Sequence, residues 1–79
     1  MKIQFEAISD ISSFMSGIKY FDGRISMQQG YQTVNGRSLM GMYTLDLEEI
    51  IDVTIDTPNH DVETDFYNFL KKWEVKTHQ

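Results

Sequence analysis

The run Ile50-Ile51-Asp52-Val53-Thr54-Ile55-Asp56-Thr57 sets the tightest limit on what this chain can fold into. Ile51, Val53 and Ile55 fall on one face, and Asp52, Thr54 and Asp56 on the other. Successive side chains of a strand point to opposite faces, so this is a strand with one apolar and one polar side. Pro58-Asn59 ends it. Such a strand needs a sheet to join and a layer to cover its apolar side. The cover follows at once in "HDVETDFYNFLKKWEV", His60 to Val75. There Val62, Phe66, Phe69, Leu70 and Trp73 recur at helical spacing, with Asp61, Glu63 and Asp65 early and lysines late, as the helix dipole favours.

The same two periods alternate through the rest of the chain. In "KIQFEAI", Ile3, Phe5 and Ala7 share one face of a first strand. In "SDISSFMSGIKYF", Ile11, Phe14, Met15 and Ile18 share one face of a helix, with Ser9 or Asp10 as its N-cap and Gly17 as a local weakness. Asp22-Gly23 is a turn; "RISMQQ" is a second strand with Ile25 and Met27 inward; "YQTV" after Gly30 is a third, paired with it as a hairpin. A short helix or turn from Ser38 to Tyr43 precedes the strand first described.

The order strand, helix, strand, strand, short helix, strand, helix predicts an α+β fold. It is a two-layer sandwich of split βαβ kind, with a four-stranded antiparallel sheet covered on one face by helices. Its 79 residues make a single domain over residues 1–79. The expected core includes Phe5, Phe14, Ile18, Ile25, Val53, Ile55, Phe66, Phe69 and Leu70. One tryptophan, four tyrosines and five phenylalanines are enough to make that core substantial in so short a chain.

Composition removes several function classes. There is no cysteine, so a disulfide framework, a thiolate metal site and a cysteine nucleophile are all out. A net charge of −5 disfavours nucleic acid as a partner. Lys71, Lys72 and Lys76 form the only basic cluster, read as cations at a helix end. No segment has the apolar length of a signal core or a membrane span, so the expectation is a cytoplasmic protein without a membrane partner. His60 beside Asp61 lacks a third ligand, and His78 lies in the tail, so no metal or other cofactor is expected. With no nucleophile–base pair and no glycine-rich phosphate loop, a small enzyme on a similar fold ranks last.

The segment "TVNGRSLMGMYTLDL", Thr33 to Leu47, carries the chain's most specific signal. It runs Val34-Asn35-Gly36-Arg37-Ser38-Leu39-Met40-Gly41-Met42-Tyr43-Thr44-Leu45. It resembles the "V-N-x-K-S-I-M-G-x-M-S-L" segment of the HPr family, the phosphocarriers of the bacterial sugar phosphotransferase system. "IIDVTI" and "DFYNFL" look like that family's final strand and helix, so the resemblance covers roughly residues 20 to 73. It implies an HPr-like fold and a link to sugar transport and carbon catabolite regulation.

The first twenty residues depart from the family. Its phosphoryl-accepting histidine lies in a "G-I-H-A-R-P-A" loop between the first strand and helix. Here the junction reads "AISDISSFM", Ala7 to Met15, without histidine, arginine or proline. Ser9, Ser12 and Ser13 do not replace it, because a phosphoserine ester is a poor phosphoryl donor. Their expected role is to cap the helix and hydrate its outer face. The implied function is therefore that of a non-catalytic, protein-binding relative, similar in this respect to the catabolite-repression HPr paralogue. The alternative is the phosphocarrier itself.

Ser38 aligns with the serine that a regulatory kinase modifies in many family members. A phosphate there adds about −1.5 to −2 charges beside a methionine-rich surface, with Arg37 adjacent to neutralise part of it. The resemblance implies partner binding through Arg37, Leu39, Met40, Met42 and Tyr43. The implied partners are an HPr-type serine kinase, a transcriptional regulator or a phosphotransferase enzyme. Tyr43 is bulkier than the family's usual residue. Ser38 itself is expected to be an exposed N-cap, with its hydroxyl near the amide of Met40 or Gly41.

Overall fold

A computed structural model describes residues 1–75. The elements are β1 (Lys2–Ile3), α1 (Ile8–Gly17), β2 (Arg24–Gln29), β3 (Gln32–Asn35), α2 (Leu39–Met42), β4 (Ile51–Asp56) and α3 (His60–Leu70). Short 3-10 turns, Ile18–Tyr20 and Lys71–Trp73, follow α1 and α3. The fold is α+β, with one four-stranded sheet in the order β1-β4-β2-β3 and every neighbouring pair antiparallel. Among the described residues no helix is long and apolar enough to cross a membrane. Lys76 of the expected basic cluster and His78 of the tail lie outside the described residues.

β4 holds the sheet together, and its sequence explains why. Ile51, Val53 and Ile55 are buried, as the alternation requires. Across from them on β2, Met27 pairs with Val53 and Ile25 with Ile55, and both β2 residues are buried too. β2 turns into β3 through Gly30-Tyr31. Gly30 has φ 58°, the positive value that the first central position of a type II′ hairpin turn demands.

β1 is shorter than its alternation predicts. Only Lys2 and Ile3 pair with β4, although Phe5 is still buried. β4 begins at Ile51, opposite Ile3, so no strand residue is left to pair with Phe5. The chain after α3 returns along the outer side of β1: Gln4 N–H donates to Trp73 O at 3.0 Å, and Val75 N–H to Lys2 O at 2.9 Å. Ala7, placed by the alternation on the inner face, is instead exposed and is the N-cap of α1. Ser9 and Asp10 are both inside the helix. Asp10 still serves its start from the third helical position, accepting from Glu6 N–H at 2.9 Å and Ala7 N–H at 3.1 Å. The Glu6 amide is the main cause that holds the Asp10 carboxyl below its ordinary pKa.

The core joins the apolar faces of the sheet, α1 and α3 in one cluster. Of the expected core, Phe69 alone is only half-buried. Its ring lies at the junction of α1 and α3, 5.4 Å from Trp73, with the Lys72 ammonium 4.8 Å from its centroid. A Cβ on Gly17 would stand 2.3 Å from Phe69 Cζ. Gly17 thus permits the close approach of the two helices. Met42 and Leu45, from the segment around α2, complete the core.

Candidate functional site

The site is built on the turn between β3 and α2. Asn35 Oδ1 accepts from Arg37 N–H at 2.8 Å, and Ser38 N–H donates to Asn35 O at 3.0 Å. Gly36 lies against β2, donating to Ile25 O at 2.9 Å. A Cβ there would meet Ile25 Cγ2 at 2.4 Å, so the turn needs glycine for close approach. This fixes where Arg37 and Ser38 leave the sheet.

Ser38 is the N-cap of α2, in extended conformation, with Oγ accepting from Gly41 N–H at 3.0 Å. That is the expected cap geometry. The residue is half-buried rather than exposed, because the cap folds its side chain down on Gly41. Gly41 leaves room for it: a Cβ there would come within 3.2 Å of Ser38 Oγ.

Arg37 does not stand beside Ser38 to neutralise an added phosphate. Its guanidinium donates to Ile18 O at 3.1 Å, to Phe21 O, and to Gly23 O at 3.0 Å. It ties the loop after α1 to the turn before α2, using the planar fork of a guanidinium on three carbonyls. Arg37→Ala is therefore expected to lower stability by about 1–2 kcal/mol, discounted for its exposure. Arg37→Lys should recover little, since a point charge cannot fork between carbonyls. Urea unfolding of both variants checks this; an alanine variant as stable as the parent would refute the clamp.

The predicted apolar surface divides in two. Met40 is 85% exposed, Tyr43 58% and Leu39 46%, whereas Met42 is fully buried. Met42 is not available to a partner. Leu39 and Met40 of the four-residue helix and Tyr43 at its C-cap face solvent, while Met42 joins the core cluster.

Beyond α2 the chain runs without regular structure to β4, yet it is well tethered. Gln29 mimics a strand partner, donating to Asp46 O at 2.7 Å and accepting from Asp46 N–H at 2.8 Å. Gln4 Nε2 donates to Glu48 O at 2.6 Å. These bonds hold Tyr43, Leu47 and Glu48 opposite the start of α1. Between them lies a cavity of about 320 Å³, lined by Phe5, Glu6, Ala7, Ile8, Ile11, Tyr43, Leu47 and Glu48. Of the residues expected to touch partners, only Tyr43 lines it.

Sequence reasoning missed the rest of this groove. Ile8 lies three residues before Ile11, so the apolar stripe of α1 extends one turn further than the expected helix start allowed. That overhang, 78% exposed, was the available signal. Leu47, Glu48 and Glu6 carried none, since only folding brings them together. His60 opens α3, with Nδ1 3.7 Å from Glu63 Oε1. Among the described residues no group of three or more His, Cys, Asp or Glu side chains is arranged to hold a metal ion. In comparisons with known proteins, no family model and no curated protein matches the chain.

Proposed function

We propose that this protein is a non-catalytic, HPr-like regulatory protein that acts by binding other proteins in the cytoplasm, under the control of Ser38. The observation that carries this reading is the arrangement at α2. A serine whose hydroxyl caps the helix is followed by exposed Leu39, Met40 and Tyr43. Methionine and aromatic side chains suit surfaces that adapt to partners. A phosphate on Ser38 would place about −1.5 to −2 charges at the edge of that surface and change what docks there.

The fold assignment within this reading is a two-layer, split βαβ sandwich of HPr type. The strand order supports it, with β4 inserted between β1 and β2. The resemblance over Thr33 to Leu47 supplies the link to the sugar phosphotransferase system. The junction from Ala7 to Met15 sets the limit: it holds the N-cap and body of α1 and no histidine, so the carrier chemistry does not belong to this reading.

Treatment with an HPr-type serine kinase, followed by mass spectrometry, is expected to find one phosphate on Ser38. Ser38→Ala should abolish it and cost about 1 kcal/mol through loss of the cap. Ser38→Asp should keep the fold and alter partner binding, because a carboxylate also suits a helix start. An unmodified Ser38 beside a fully modified control HPr would end the regulatory reading and leave only the cap.

A further inference from the structure

We infer that the groove between the start of α1 and the segment after α2 receives a bulky apolar side chain from a polypeptide segment that carries lysine or arginine on either side of it. This rests on the binding role proposed above and adds the chemistry of the partner.

Three observations carry it. The lining is apolar and partly open to solvent: buried Phe5 and Ile11 form its base, and half-buried Leu47 with exposed Ile8 and Tyr43 its sides, around a space of about 320 Å³, enough for a large side chain. The walls are held by the Gln29 and Gln4 side chains described above, so the groove exists without a ligand. The charged side chains lining it are carboxylates, Glu6 and Glu48, and among the described residues no Lys or Arg lines it.

On the α3 side, Lys72 packs over aromatic rings and does not line the groove. Lys72 Nζ lies 4.5 Å from the Trp73 ring centroid and 4.8 Å from that of Phe69. The rim therefore favours cations, in a chain whose net charge is −5. Charge complementarity also separates the possible occupants. A second copy docked face to face would oppose Glu6 and Glu48 to their own duplicates, since a two-fold interface uses the same patch twice. An anionic lipid surface or a nucleic acid would meet the same repulsion. A basic, apolar polypeptide segment satisfies both the floor and the rim.

The experiment is selection of a randomised short-peptide library on the intact, immobilised protein, with Ile8→Ser as counter-selection. The expected consensus is an aromatic or branched apolar residue flanked by Lys or Arg. The enriched peptide, titrated into labelled protein, should shift the amides of Ile8, Tyr43 and Leu47. The double variant Glu6→Gln/Glu48→Gln should weaken it about tenfold, and added salt should weaken the parent's binding but scarcely the variant's. An acidic or uncharged consensus, no enrichment, shifts confined to other surfaces, or a self-associated protein with its groove occupied by a second copy would each overturn the inference. Peptide selection needs no phosphate on Ser38. If the kinase leaves Ser38 unmodified while basic peptides still bind, only the regulatory reading fails. If the kinase modifies Ser38 and the selection fails, only the groove's assignment does.

Discussion

Phe14→Ala is expected to lower stability by about 4 kcal/mol, the largest effect of any single alanine substitution considered for this protein. Phe14 is fully buried on α1, with ring centroids of Phe5, Trp73 and Phe69 at 5.7, 6.1 and 6.3 Å. Its removal forfeits the transfer energy of an aromatic ring and its edge contacts. It also leaves a void that surrounding rings fill only in part. A domain of this size has roughly 4–12 kcal/mol in total, so the variant should be close to half unfolded at the low end of that range. Urea denaturation followed by Trp73 fluorescence checks the value, since that indole lies in the same cluster. A loss below about 1 kcal/mol would mean that α1 is not seated on the core as described.

The second expectation is a contrast between two neighbours of similar chemistry. Met42→Ala should cost about 3 kcal/mol, because the side chain is fully buried in the core. Met40→Ala should change stability by less than about 0.5 kcal/mol, because the side chain is 85% exposed. Partner binding should respond in the opposite sense. Met40→Ala should weaken it with the fold intact, while any effect of Met42→Ala should follow the loss of folded protein. Chemical denaturation and a binding assay on the same preparations give both readouts. Equal stability losses would show that α2 is rotated from the orientation described.

The periods of the chain carried much of the fold. The strands β2 and β4 and the helix α3 lie where alternation and helical spacing put them, and so does α1 except that it starts at Ile8, ahead of the expected cap at Ser9 or Asp10. These segments each have a clear apolar side, and burial of that side decides their form. The errors have a shared origin. β1 ends at Ile3 because its partner β4 begins at Ile51, directly opposite, a limit that no pattern within the first strand announces. Arg37 beside Ser38 read as a countercharge, yet three carbonyls from the end of α1 and the following loop claim it. Met40 and Met42 read alike because a two-residue separation in a very short helix gives no usable period.

Local side-chain periods, and hydrogen bonds spanning a few residues, were enough to give the element types, the apolar face of each strand and the cap at Ser38. Tertiary structure alone decided which of the candidate surface residues face solvent, where Arg37 is spent, and that Ile8, Tyr43, Leu47, Glu6 and Glu48 meet in one groove. The physical reason is distance along the chain. The start of α1 and the segment after α2 are about forty residues apart and share no pattern. They are brought together by the closure of β1 on β4 and by the glutamine bonds that seat the segment after α2.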